Sequence, residues 1–235
     1  WQDPPNRLLR ALERDELVLY AQPILALRGE QSFPMAEVLV RLQDDDAVFL
    51  PPGGFLPLFE HFQLLPKLDR WVAHQTIARL ARSPRVPRLC VNMSAQSMGD
   101  AEFVPELAAE LARAKVSPAA FVVEISENDM LDRPELAGAF IASLQAGGCK
   151  VAISGFGRRS VSLSSLTTLR PDFVKVDGGI VRGLHLGLST RKKLSAMVSM
   201  AKAVGFELVG EGVEMNETLA HLREAGVDYA QGFGI

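Results

Sequence analysis

The chain has 235 residues, 48% of them hydrophobic and 23% charged, which is enough apolar material for a packed core and argues against a disordered tail or a coiled coil. Its 25 basic and 28 acidic residues leave a net charge of −3, unlike the basic footprint of a nucleic-acid groove, so polyanion binding is disfavoured. No apolar stretch approaches the roughly 20 residues of a membrane span, and no signal peptide opens the sequence, so no direct membrane insertion by this segment is expected.

Apolar runs rich in β-branched residues alternate with segments of helical period, and no linker interrupts them, so residues 1–235 are read as one α/β domain. The start at Trp1 and the strand-like end at Tyr229–Ile235 suggest a segment of a longer polypeptide. The predicted strands are Leu17–Leu25, Met35–Leu42, Leu89–Val91, Phe121–Ile125, Lys150–Ile153, Phe173–Val176, Glu207–Val209 and Val227–Ala230. Between them lie the amphipathic stretches Leu65–Ala81, Pro105–Ala114, Pro134–Gln145, Thr190–Ala203 and Glu217–Glu224. Only Ala26–Pro34 separates the first two strands, whereas a parallel crossover needs a dozen or more residues. The first strand is therefore expected to run antiparallel to the second. The longer connections suit right-handed crossovers, giving a TIM-like (β/α)8 barrel with one reversed strand; a doubly wound open sheet is the alternative. Cys90 and Cys149 lie in apolar runs and read as buried, reduced thiols of a cytoplasmic protein. The acidic run Asp44–Asp46 reads as a solvated turn.

In such barrels the working residues project from the C-terminal ends of the strands. Glu37 lies within the second strand, Asn92 follows the third, and Glu124 closes the fourth, with Glu127 a short turn later. Lys175 and Asp177 share one face of their strand, Glu211 and Glu214 follow the seventh, and Gln231 follows the eighth. Carboxylates and an amide oxygen converging on one mouth would supply the hard ligands that Mg²⁺ or Mn²⁺ prefers, and a lysine among them could orient or deprotonate a water. Each carboxylate alone could equally be a rim charge near a helix N-terminus. The set has a hole, because Lys150–Ile153 ends in Ser154-Gly155-Phe156-Gly157 and brings no carboxylate.

In order along the chain these residues resemble the EAL domain, the bacterial cyclic di-GMP phosphodiesterase family. Gln22-Pro23-Ile24 resembles its Q-P-I, and Glu37-Val38-Leu39-Val40-Arg41 stands where E-A-L-x-R belongs. Phe55-Leu56-Pro57 and Leu68-Asp69-Arg70-Trp71-Val72 resemble F-I-P and L-D-x-W-V, and Asn92-Met93-Ser94 and Glu124-Ile125-Ser126-Glu127 resemble N-x-S and E-[IL]-[TS]-E. Lys175-Val176-Asp177, Glu211-Gly212-Val213-Glu214 and Gln231-Gly232-Phe233 complete the series as K-I-D, E-G-V-E and Q-G-[FY]. The departure is at D-D-F-G-T-G-Y-S-S-L, which here reads Ser154-Gly155-Phe156-Gly157-Arg158-Arg159-Ser160-Val161-Ser162-Leu163.

The resemblance implies that two metal-holding aspartates are replaced by Ser154 and Gly155, leaving Glu37, Asn92 and Glu124 as vestigial metal ligands and Glu37, Lys175 and Glu211 as vestigial catalytic residues. It assigns cyclic di-GMP contacts to Gln22, Leu39, Arg41, Asn92, Asp177, Glu211 and Gln231. Arg158 is a further candidate, open to two readings: half of an exposed arginine pair with Arg159, or a contact to a phosphate or partner. The expected function is that of a catalytically inactive receptor needing no cofactor. It would signal motility, biofilm or adhesion control to flanking regulatory domains, a protein effector or a homodimer. A weak Mg²⁺- or Mn²⁺-dependent phosphodiesterase yielding pGpG and a nucleotide-blind interaction scaffold are the alternatives.

Overall fold

The computed structural model describes residues 3–14, 16–29, 33–43, 48–82, 88–159 and 163–235. The strands are β1 (Leu17–Ala26), β2 (Met35–Gln43), β3 (Phe49–Leu50), β4 (Arg88–Asn92), β5 (Phe121–Ser126), β6 (Lys150–Phe156), β7 (Phe173–Val176), β8 (Glu207–Gly210) and β9 (Tyr229–Ala230). They pair in the order β1-β9-β8-β7-β6-β5-β4-β2, and β1 returns to β2, which closes an eight-stranded barrel and removes the open-sheet alternative. β1 is antiparallel to both neighbours, and the other barrel strands are parallel, as the short first connection requires. The two-residue β3, absent from the sequence reading, pairs antiparallel with the end of β2. The run Asp44–Asp46 lies outside the described residues. Among the described residues no helix is long and apolar enough to cross a membrane.

Helices including Leu65–Arg82, Phe103–Ala114, Pro134–Ala146, Leu188–Val204 and Asn216–Ala225 follow the parallel strands and surround the barrel. Their apolar stripes meet the outward-facing strand residues, such as Val38, Val91, Val123 and Val151, in the main core. A second, smaller cluster fills the barrel itself: Ile24, Met35, Cys90, Val122, Ala152, Phe173 and Val209, with Tyr229 packed against it. Each of the eight barrel strands supplies one member of this plug. Cys90 belongs to it, and Cys149 is buried in the outer core; both are unpaired, and burial pushes both thiols up, Cys149 to about 11.

One polar knot lies outside the barrel, between two of these elements. Asp69 on the helix Leu65–Arg82 is only 6% exposed, and its Oδ2 accepts from the Ser94 N–H (3.0 Å), the Ser94 hydroxyl (2.6 Å) and the Ser97 hydroxyl (2.6 Å). It thereby ties that helix to the turn following β4, which carries Asn92. Burial raises the Asp69 pKa and outweighs the lowering by these hydrogen bonds.

Asp69→Ala leaves the buried Ser97 hydroxyl and the half-buried Ser94 N–H and hydroxyl without their acceptor and is expected to cost about 1–3 kcal/mol in urea unfolding. The pH dependence has a definite sign. The folded chain holds the Asp69 proton more tightly than the unfolded chain, so this residue's penalty is absent below the ordinary aspartate range and appears as pH rises through the raised folded value. The stability of the native chain relative to Asp69→Asn is therefore expected to increase as pH is lowered across that window.

Candidate functional site

Side chains alternate across a strand, so the residue two positions from each plug residue also points into the barrel, one layer nearer its mouth. Counting toward the C-terminal ends of the parallel strands, Met35, Cys90, Val122, Ala152, Phe173, Val209 and Tyr229 are followed by Glu37, Asn92, Glu124, Ser154, Lys175, Glu211 and Gln231. On the reversed β1 the count runs backward, from Ile24 to Gln22. Eight inward positions thus form one polar ring above an apolar plug. It contains most of the ligand and metal positions read from the sequence.

Lys175 is the hub of this ring. Its Nζ lies 2.6 Å from Glu37 Oε2, 2.9 Å from Glu124 Oε2 and 3.1 Å from Glu211 Oε1, and the side chain is 1% exposed. Asn92 Nδ2 donates to Glu37 Oε1 at 2.8 Å; Gln231 Nε2 donates to Glu37 Oε2 at 2.7 Å and to Gln22 Oε1 at 2.9 Å. Gln231 Oε1 is buried without a hydrogen-bond partner among the described residues.

Three carboxylates around one ammonium carry excess negative charge, and their protonation equilibria respond unequally. Burial pushes Glu124 up to about 8, with Glu37 and Glu211 adding to the rise against the pull of Lys175. Burial also acts to raise Glu37, but Lys175 and the hydrogen bonds from Gln231 and Asn92 outweigh it, and the net shift is downward. Burial alone would lower Lys175; the three carboxylates instead hold it well above the ordinary lysine value. Glu37, Glu124 and Glu211 each bring a carboxylate oxygen within 4.8 Å of the others, an all-oxygen set suited to one hard divalent ion.

Among the described residues no second set of this kind is found. Ser154 and Gly155 do line the same cavity as Glu37, Asn92, Glu124 and Glu211, but they offer one hydroxyl and no side chain. β6 is irregular here: its pairing with β7 shifts between Ile153 and Phe156, and Gly155 has φ +63°, a conformation in which glycine is unstrained. Asp177 is not in the ring. It caps the helix Gly178–Arg182 through the Gly179 N–H at 2.9 Å, and its Oδ2 accepts from Arg158 Nε at 2.5 Å. Glu127 lines the Ser154 cavity too; it is 2% exposed, and its two oxygens accept from the Gly157 and Arg159 N–H groups at 2.8 and 2.9 Å.

Leu39 and Arg41 continue the Glu37 face of β2 outward from the ring. They line an adjacent cavity of about 430 Å³ with Gln22, Tyr20, Phe49 and Phe233. The Arg41 guanidinium sits 5.9 Å from the Tyr20 ring centroid and donates to the Val40 carbonyl at 2.8 Å. Tyr20 and Phe49 meet edge to face, and Phe233 is 94% exposed. Phe233 closes the Gln231-Gly232-Phe233 motif, whereas Tyr20 and Phe49 were not singled out from the sequence; the available signal for Tyr20 was its place beside Gln22.

A closed barrel with a reversed first strand, carrying a lysine amid carboxylates and amides at its mouth, defines the class. The chain belongs to the EAL domain family, whose model matches residues 5–235. Among curated proteins it is 29% identical over 231 residues to the Escherichia coli cyclic di-GMP phosphodiesterase PdeF and 31% identical over 236 residues to PdeR of the same organism. These matches cover 97% and 99% of this chain but 30% and 35% of those proteins. Among solved structures, the FimX EAL domain of Pseudomonas aeruginosa bound to c-di-GMP superposes with a TM-score of 0.90 at 31% identity, covering 99% of this chain and 94% of that one. The PaMucR phosphodiesterase in its c-di-GMP complex gives 0.88 at 28% identity, covering 98% and 95%. The similarity thus extends to a phosphodiesterase and to FimX.

Lys175→Met strands the buried carboxylates of Glu37 and Glu124 without their cation and is expected to destabilise the fold by about 3–5 kcal/mol in urea unfolding. Added Mn²⁺ should recover part of that loss, since the same oxygens then face a replacement cation.

Proposed function

We propose that this chain is a receptor domain that binds cyclic di-GMP and does not hydrolyse it at a useful rate. The observation that carries the reading is the polar ring: seven of its eight inward positions hold the amide, carboxylate or ammonium groups of the motif set, and the β6 position holds Ser154 followed by Gly155. In two-metal phosphodiester hydrolysis the ion pair generates a nucleophilic water and stabilises both the attacking and the leaving oxygen. Losing one oxyanion-stabilising group typically costs about 10²–10³ in rate, and losing an ion costs at least that.

Binding draws on residues that remain. Arg41, on the rim, has a planar fork of donors suited to a phosphate, and Leu39, Tyr20, Phe49 and Phe233 give apolar and aromatic faces on which a guanine can stack. Gln22 and Asn92 present amides deeper in the mouth, and the buried Gln231 holds Gln22 in place through its Nε2. Glu211, at the ring's edge and 24% exposed, is open to donors from the ligand. The relatives with solved c-di-GMP complexes share this architecture. As a receptor, the domain would pass occupancy to flanking domains, an effector protein or a second copy.

A slow phosphodiesterase is the second reading, favoured by the intact one-ion set of Glu37, Glu124 and Glu211 beside Lys175. Titration calorimetry with cyclic di-GMP, followed by nucleotide analysis with Mg²⁺ or Mn²⁺, separates the two. Saturable heat with no pGpG at near-stoichiometric protein is expected; prompt conversion to pGpG would sink the receptor reading. Arg41→Ala is expected to weaken binding by about 1.5–3 kcal/mol, a roughly 10- to 150-fold rise in Kd.

Combining Ser154→Asp with Gly155→Asp places oxygen ligands at the deficient strand end and should raise Mn²⁺ affinity at least about tenfold by calorimetry. Aspartate is among the few side chains tolerated at the positive φ of Gly155. An unchanged metal affinity would show that the missing carboxylates are not what limits ion binding. Hydrolysis is a stricter demand than ion binding, because water, Lys175 and phosphate must also align.

A further inference from the structure

We propose that the Arg158 guanidinium is a built-in cation that takes the place of the second metal ion and holds a ligand phosphodiester, so that nucleotide binding by this chain is independent of divalent ions. The inference rests on the receptor reading above and assigns the charge that the reading lacks at the β6 end of the ring.

Position is the first argument. Arg158 lines the cavity formed by Glu37, Asn92, Glu124, Ser154 and Glu211. It lies alongside the side that Gly155 leaves bare, since a Cβ at Gly155 would come within 3.9 Å of Arg158 Nε. Where the motif would bring carboxylate and cation, this chain brings neither the carboxylate nor the need for the ion, because a permanent positive charge reaches the same cavity from three residues downstream.

The donors are the second argument. Only Nε is bonded, to Asp177 Oδ2 at 2.5 Å, and among the described residues the two terminal nitrogens have no partner. The Arg158 side chain is 63% exposed. The carboxylate contact thus aims the guanidinium while leaving its terminal fork for an incoming anion, the arrangement in which arginine grips phosphate bidentately. Arg158 is the exposed end of this pair and Asp177 the buried one, with its side chain 12% exposed, so the arginine keeps Asp177 as its anchor while its terminal nitrogens meet the phosphate.

The loop that carries Arg158 is the third argument. Glu127 holds the N–H groups of Gly157 and Arg159, the residues on either side, and Lys193 donates to the Gly157 carbonyl. Gly157 suits this path: its φ of +98° is one that glycine adopts without strain, and a Cβ there would displace the Met197 and Ile180 side-chain ends. The backbone is therefore fixed on both sides of Arg158 while its side chain reaches the mouth. Arg159, by contrast, is paired with the exposed Asp132 and does not line the cavity.

The test is titration of cyclic di-GMP into the parent chain, Arg158→Ala, Arg158→Lys and Arg159→Ala, each in excess chelator and again in Mn²⁺, with thermal melts to verify folding. The parent is expected to give the same Kd in both conditions. Arg158→Ala should bind at least about tenfold more weakly in chelator, Arg158→Lys should recover part of the loss, and Arg159→Ala should match the parent. Unchanged affinity in Arg158→Ala, an equal loss in Arg159→Ala, or a parent that binds only with Mn²⁺ would each overturn the inference and leave the receptor reading standing. A parent that binds in neither condition would overturn the receptor reading itself, and this inference with it.

Discussion

A lysine ammonium buried among three carboxylates is the constraint around which the rest of the barrel is arranged. Removing an ion from water costs several kcal/mol even after relaxation, and Lys175 is repaid only by contacts at 2.6–3.1 Å with Glu37, Glu124 and Glu211. Those carboxylates sit on three other strands, so β2, β5, β7 and β8 must hold their registers to within a fraction of a residue spacing. A slip of one residue would turn a ring member outward and leave its partners charged and unpaired. The site therefore contributes specificity of register as much as it does chemistry. Asn92, Gln231 and Gln22 extend the same requirement to β4, β9 and β1 through neutral hydrogen bonds.

Beneath this ring, the apolar plug performs the opposite task. One residue from each strand fills the lower barrel, with small Ala152 and Cys90 set among larger Phe173, Met35 and Ile24. This dry floor keeps water from reaching the ring from below and keeps the local dielectric low, which strengthens the Lys175 contacts and forces the disparate behaviour of Glu37 and Glu124. At β6 the two-layer scheme is interrupted. Ser154 keeps its ring position, but the irregular pairing with β7 that follows, and the positive φ of Gly155, redirect the chain so that Arg158 comes back over the mouth. The arginine's approach and the missing carboxylates thus fall on one stretch of five residues, Ser154–Arg158.

The barrel was legible because its signals are local. Apolar runs rich in β-branched residues mark the strands, and the short link from Ala26 to Pro34 forces β1 to reverse. The ring was legible because period-two alternation and strand ends locate inward polar groups without knowledge of neighbours. What escaped depends on contacts across the fold. β3 has two residues and exists only because β2 offers a partner. Asp69 carries no mark that separates a buried carboxylate from a surface one, because its partners Ser94 and Ser97 are 25 and 28 residues away. Glu127 and Asp177 were read as mouth carboxylates from their places at strand ends; their partners, the Gly157 and Arg159 N–H groups for one and Arg158 for the other, are set by the course of the β6 loop. Tyr20, Phe49 and Phe233 are brought together only by barrel closure.

Closure itself has a kinetic side. Gln22 and Gln231, hydrogen-bonded to one another, are separated by 209 residues, and Lys175 reaches Glu37 across 138. Contacts so distant along the chain are the slowest to form, since the entropy of the intervening loops must be lost before any of them is gained. The seam between β1 and β9 is accordingly the last part of the barrel expected to consolidate, and the mouth exists only once it has. No partly folded chain can present Gln22, Glu37 and Gln231 together. Occupancy of the mouth is thus a report on complete folding, and an occupant slows global opening without touching the fraying of the outer helices.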